Sequence, residues 1–157
     1  MACVYGWLGR HGAERDRLAA DLSLIPAALE ELMRYESPVP AGIRYAEEDI
    51  DLGYGLVIRA GEAIHAVWSS ADLDPAAFDD PLTVKLARGR TNHIVFASGT
   101  HRCLGSHLAR MELGIATEEL LSAIPDYEID CNESLMYNNV AVRAALKLPV
   151  KFTPSNP

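Results

Sequence analysis

Phe96-Ala97-Ser98-Gly99-Thr100-His101-Arg102-Cys103-Leu104-Gly105 sets a cysteine after a glycine-containing turn, at the mouth of a long apolar stretch. From Leu104 to about Ile124 the spacing predicts a helix. Leu108, Met111 and Ile115 form one row, and Ala109, Leu113, Ala116 and Leu120 an adjoining one. A stripe that wide predicts burial over most of the circumference, and Pro125 ends the helix. Helix N-termini present unpaired N–H groups and a partial positive charge, which favour a sulfur anion at Cys103. Gly105 has no side chain and lets a flat ligand approach the backbone. Ala109, one turn further, keeps the same face low, and Phe96 offers an aromatic wall before the turn. On the residues alone two other readings stand beside a ligand-bearing thiolate. One is a buried structural cysteine at a helix start. The other is a zinc site built from His101, Cys103 and His107, although zinc favours four ligands in two spaced pairs and no second pair stands out.

Outward from this turn the chain reads as mixed and helix-led. Pro26–Glu36 is a firm helix, with proline suited to its first turn and Ser37-Pro38 closing it. Met1–Asp21 is charged and helix-compatible. Gly42–Trp68 carries turn signals at Gly53-Tyr54-Gly55 and Ala60-Gly61-Glu62, which separate short β-type runs at Leu56–Ile58 and Ala63–Trp68. The second of these is read as a buried strand. Asp72–His93, with Pro75, Pro81 and Gly89, has no sustained periodicity and is read as a long ordered loop, a feature that usually has a job. The tail is β-like around Tyr127–Asp130 and Val140–Phe152, with Asn138-Asn139 as a turn.

Composition narrows the function classes. The 157 residues suffice for one domain with a real core. Apolar residues make up 49% and charged residues 23%, as in ordinary globular proteins. No apolar run is long enough for a membrane anchor. A formal charge of −8 opposes nucleic-acid binding, which needs clustered Lys and Arg. Three widely spaced cysteines, Cys3, Cys103 and Cys131, do not suggest a disulfide framework, so a reducing cytoplasm is expected and a thiol stays available for metal ligation.

The segment Phe96–Gly105 resembles the haem-binding signature of the cytochrome P-450 family, in which Phe, a Gly-rich turn, a basic residue, Cys and Gly recur at these intervals. The continuation Leu108-Ala109-Arg110-Met111-Glu112 matches as well. Ala97 departs from the pattern, standing where the family usually has glycine. The resemblance implies haem b with Cys103 as the axial thiolate, on a proximal bed of Phe96, Leu104, Gly105 and Ala109. Glu31 and Arg34 alone could be an exposed i,i+3 pair, but Glu31-Leu32-Met33-Arg34 is similar to the family's buried Glu-x-x-Arg element. Arg88 matches the basic residue that completes the cluster, which implies a Glu31–Arg34–Arg88 network tying the long loop to the helix. Arg44, His93 and His101 match the positions that meet the haem propionates. Ala71-Asp72-Leu73-Asp74-Pro75 resembles a turn of bacterial members, with Asp72-Leu73 in place of Asn-Arg. Arg102 and Arg110 flank the cysteine and are either docking cations for an acidic electron-transfer partner or ordinary solvated charges.

The resemblance runs from about Asp21 to the C-terminus but covers only the C-terminal part of the family fold. The fold class implied is mixed, mainly α with small β-sheets. Residues 21–157 are then the haem-thiolate part, and residues 1–20 a helix-compatible leader left from a missing N-terminal part. A truncated or split gene, a mis-called start and a relic are the readings open for Met1. The implied function is the haem- and iron-binding part of a soluble monooxygenase that inserts one atom of O2 into a small organic substrate. Its implied partner is a ferredoxin-like or flavin electron donor. A haem-binding relic without activity is the alternative. The distal acid–alcohol pair of the family has no counterpart here, so no catalytic residue is assigned and activity of this chain alone is not expected.

Overall fold

The computed structural model describes residues 1–89, 91–133, 136–138 and 141–153. Two short helices open it, α1 (Ala2–Leu8) and α2 (Gly12–Ala20), followed by α3 (Ile25–Glu36). A β segment carries β1 (Gly42–Tyr45), β2 (Ile50–Gly53), β3 (Leu56–Ile58) and β4 (Ala63–Ala66), and leads into a single turn of helix, α4 (Trp68–Ala71). After a long loop comes α5 (Ser106–Ala123), then β5 (Glu128–Ile129), β6 (Met136–Asn138), β7 (Ala144–Lys147) and β8 (Val150–Lys151). The strands form four two-stranded antiparallel sheets: β1 with β4, β2 with β3, β5 with β8, and β6 with β7. The architecture is thus mainly helical with small sheets.

Helix α3 is the centre of the molecule. Pro26 lies in its first turn, where the missing N–H leaves no orphan. Ser37 takes a left-handed conformation, φ 37°, and its N–H closes the helix on the Met33 carbonyl at 3.0 Å. Pro38 follows and prevents continuation. Between these ends Ile25, Ala28, Leu29, Leu32 and Met33 are buried against Val4, Trp7 and Leu8 of α1, Leu18 of α2, Leu113 and Leu121 of α5, and Leu86 and Val95 of the loop. The first 20 residues, expected as a leader, therefore share one core with the remainder. Each apolar side chain of this size contributes about 1.5–3 kcal/mol on full burial.

Two expectations are corrected. Helix α5 is buried along one row only: Ser106, Leu113, Thr117 and Leu121 face the core. Leu108, Met111 and Ile115, expected inside, are 53%, 56% and 55% exposed. The apolar stripe is as wide as the sequence indicates, but the described residues cover only part of it. Strand β4, expected to be buried, alternates exposed Ala63 and His65 with half-buried Ile64 and Ala66, because a two-stranded sheet shields one face at most. The Gly53-Tyr54-Gly55 turn joins β2 to β3 with all three residues at positive φ. Gly42 on β1 packs under Trp68, whose ring lies 2.5 Å from where a Cβ would stand, so a larger residue there would displace α4. Of the expected Asn138-Asn139 turn, Asn138 is the last residue of β6, while Asn139 and Val140 fall outside the described residues.

Candidate functional site

Among its described residues the long loop from Asp72 to Ser98 contains neither helix nor strand, yet it is anchored at several points. Its first anchor is Glu31 on α3. The side chains of Glu31 and Arg34 are fully buried, joined by two hydrogen bonds, Arg34 Nε to Oε2 at 2.8 Å and Nη2 to Oε1 at 2.9 Å. Arg88 Nε reaches both Glu31 oxygens at 2.9 Å, and the Lys85 amide donates to Oε1 at 2.9 Å. Arg34 Nη1 donates to the carbonyls of Asp72 at 2.7 Å and Pro81 at 3.0 Å. Arg88 Nη2 donates to Thr83 O at 2.7 Å, and its Nη1 to Asp79 O. A buried charge needs such a complete set of partners. Burial alone would raise the Glu31 carboxyl, but hydrogen bonds from Arg34, the Lys85 amide and Arg88 outweigh it and hold the group below the usual carboxylate range.

The loop ends in the cysteine turn. The Ala97 N–H donates to Ile94 O at 2.7 Å, Arg102 N–H to Gly99 O at 3.1 Å, and Cys103 N–H back to Phe96 O at 2.8 Å. A 3-10 turn over Gly99–His101 fills the middle, and Gly105 leads into α5. The tight reversal needs left-handed backbone at Gly99, φ 71°, and at Ala97, φ 58°. Ala97 is a non-glycine residue in that region, which gives the glycine usual at this place its physical reason. Cys103 is exposed and free of any disulfide, and its sulfur makes no hydrogen bond among the described residues.

Cys103 lines a cavity of about 540 Å³ together with Phe96, Ala97, His101, Ala109 and Leu113. A Cβ placed at Gly105 would stand 4.0 Å from the sulfur, in ordinary contact with it. Leu104 points to solvent, 98% exposed, and is not on the cavity wall. Arg44, on β1, is exposed, donates only to the Ile43 carbonyl at 2.8 Å, and has no carboxylate partner among the described residues. His93 lies behind Phe96, ring centroids 6.3 Å apart, and is not on the wall. His101, Cys103 and His107 do not assemble into a metal site: among the described residues no three His, Cys, Asp or Glu side chains do. The zinc alternative therefore loses its ligand set. A mostly apolar wall with the exposed Cys103 thiol, the other lining cysteine, Cys3, being buried and donating to the Arg143 carbonyl, fits a flat apolar cofactor that carries a metal ligated by thiolate.

The structure adds three residues that the sequence reading did not place in the site. Glu30, beside Glu31, accepts from Arg110 Nε at 2.6 Å and Nη2 at 2.9 Å, and sits 2.9 Å from His93 Nε2. Burial alone would raise its carboxyl, but His93 and Arg110 outweigh burial and hold it down at about 2. Arg110 also stacks over Phe96, 4.6 Å from the ring centroid, so it is not a free solvated charge. Its position on the row Ser106, Leu113, Thr117 was the available signal, since a charge on a buried stripe requires a partner. Asp72, the third, is 1% exposed; its Oδ1 takes the Ile94 N–H at 2.7 Å, while Oδ2 is buried without a hydrogen bond.

The family model for cytochrome P-450 matches residues 7–130, starting inside the segment expected as a leader. A steroid C26-monooxygenase of Mycolicibacterium smegmatis is 39% identical over 150 residues, which are 94% of this chain and 37% of that protein. The crystal structure of CYP109E1 from Bacillus megaterium with testosterone superposes with a TM-score of 0.91 at 31% identity, over 97% of this chain and 42% of that one. The cytochrome P-450 PksS of the bacillaene polyketide synthase from Bacillus subtilis 168 gives 0.90 at 35% identity, over 96% and 39%. The chain thus spans well under half the length of these relatives. Among the described residues no helix is long and apolar enough to cross a membrane.

Proposed function

Because the chain belongs to the cytochrome P-450 family, we propose that it is the haem-binding portion of a monooxygenase, with the Cys103 thiolate as the axial ligand. The observation that carries this is the placement of Cys103: the exposed thiol of a mostly apolar wall, its amide tied to Phe96 O at 2.8 Å. When bound, haem supplies activation of O2, with one oxygen atom entering an organic substrate and the other leaving as water.

The chain's own residues supply ligand, seat and orientation. Cys103 contributes the sulfur donor. Phe96, Gly105 and Ala109 form the low bed beside it, and Leu104, which points to solvent, stands outside it. His101 on the wall, His93 behind it and Arg44 on β1 are the groups for the two propionates, each bringing a donor or a positive charge. Glu31, Arg34 and Arg88 hold the loop that carries the cysteine. Electrons come from a ferredoxin-like or flavin partner, the substrate is a small organic molecule, and the setting is the cytoplasm.

Distal proton delivery and most of the substrate pocket belong to the portion of the fold that this chain does not span. The exposed row Leu108, Met111 and Ile115 on α5 is where that portion would pack. The alternative reading is a haem-binding relic without turnover. Haem titration into the purified chain tests the common claim: saturable binding is expected, with a partial thiolate absorption signature because the distal side is open. Turnover by this chain alone would contradict the division of labour. Turnover only after joining it to the remaining portion of a relative favours the first reading over the second.

A further inference from the structure

Glu30 and Glu31 are neighbours on α3, yet they brace opposite ends of one loop. Glu31 holds the segment around Lys85 and Arg88, whereas Glu30 reaches the far end at His93 and, across to α5, Arg110. Arg110 grips both Glu30 oxygens with its planar fork and lays its guanidinium 4.6 Å over the Phe96 ring. The carbonyl of that same Phe96 receives the Cys103 N–H. The path from Glu30 to the cysteine is therefore continuous: carboxylate, guanidinium, ring, backbone carbonyl, amide.

On the haem reading above, we propose that Glu30 and Arg110 form a second clamp, with His93, that positions the Cys103 turn. They are positioning residues, since neither lines the cavity. His93 is held by Glu30 through one ring nitrogen, while its other nitrogen, also buried, has no hydrogen-bond partner. Removing the carboxylate therefore frees a buried imidazole and a half-buried guanidinium together, both beside Phe96. Arg110 cannot be replaced by lysine without loss, because an ammonium neither spans two oxygens nor stacks on the ring. Because Phe96 both walls the cavity and receives the Cys103 amide, the clamp sets the wall and the sulfur as one unit.

Amide hydrogen exchange of the haem-free chain, read by NMR, tests the clamp without relying on haem. Glu30→Gln and Arg110→Lys are compared with Leu18→Ala, a remote core change. The Cys103 and Ala97 amides are expected to exchange at least about tenfold faster in both clamp variants. The Lys85 amide, on the Glu31 side, should keep its protection. In Leu18→Ala the two sides should shift together. Equal shifts at Cys103 and Lys85 in the clamp variants, or none at Cys103, would overturn the proposal. If Glu30→Gln does not fold, Arg110→Lys alone decides. With haem added, the thiolate share of the absorption spectrum should fall in both variants and recover partly in Glu30→Asp. Absence of that share in the unsubstituted chain would count against the haem reading, while the exchange data still decide the clamp.

Discussion

Arg88 Nε stands 2.9 Å from both carboxylate oxygens of Glu31, a contact that closes 57 residues of chain. Glu31 is fully buried, and it is the acceptor for Arg34, Arg88 and the Lys85 amide at once. The long loop has no ladder of its own among the described residues, so this carboxylate fixes its stretch around Lys85 and Arg88, while Glu30 holds its far end at His93.

Glu31→Ala should therefore be severe. It leaves a buried Arg34 with no counter-charge, and breaking one side of a buried pair costs about 3–5 kcal/mol. Urea unfolding of the chain, with and without the substitution, measures it. A loss under about 1 kcal/mol would show that the loop is held by other means.

Ala97→Gly should stabilise. The residue sits at φ 58°, where a side chain costs about 1–2 kcal/mol and glycine fits freely, offset in part by the greater freedom of glycine when unfolded. A net gain of about 1 kcal/mol, or roughly 2–4 °C in Tm for a chain of this size, is expected by calorimetry. A lowered Tm would mean that the methyl group is needed in the cavity wall.

Two carboxyls set opposite pH trends. Glu30 is held at about 2 from an ordinary 4.5, so the folded form binds fewer protons than the unfolded one in that window. Its stabilisation is complete above about pH 5 and is lost as pH falls toward 2, at most about 3 kcal/mol. Asp72 is shifted the other way: burial raises its carboxyl, against the Ile94 amide and the charges of His93 and Arg34. Its neutral form is favoured on folding, so ionisation costs stability as pH rises through the raised value. Asp72→Asn should thus stabilise the fold more near pH 7 than near pH 3. Equal effects at both pH values, measured by urea unfolding, would contradict the burial of this carboxyl.

The two faces of α5 should respond differently. Leu113 is 5% exposed, and Leu113→Ala should cost about 2–5 kcal/mol. Ile115→Lys, on the exposed row, should change stability by less than about 0.5 kcal/mol. It should also lower self-association of the isolated chain, read by light scattering. A large stability loss from Ile115→Lys would place that row inside the core.

Helix α3 was legible because its signals are local: proline at one end, Ser37-Pro38 at the other, and apolar periodicity between. The cysteine turn was legible as a pattern of residue types. Which face of α5 is covered was not, because an apolar row reads the same whether its partner lies in this chain or outside it. The Glu30–Arg110 pair was missed for a related reason: 80 residues separate its members, and a glutamate beside another on one helix gives no sign of reaching a different anchor. The resemblance makes His93 a propionate partner, and only the fold brings its Nε2 against Glu30. The left-handed backbone of Ala97 was hidden because alanine does not announce it, as glycine would have.

Iron-edge X-ray absorption of the haem-loaded chain tests the central claim most directly. A sulfur scatterer in the first coordination shell of iron is expected, at less than full occupancy in this chain alone. It should vanish in Cys103→Ser and persist in Cys3→Ser and Cys131→Ser. A shell of nitrogen and oxygen only, or a sulfur that survives Cys103→Ser, would contradict the assignment.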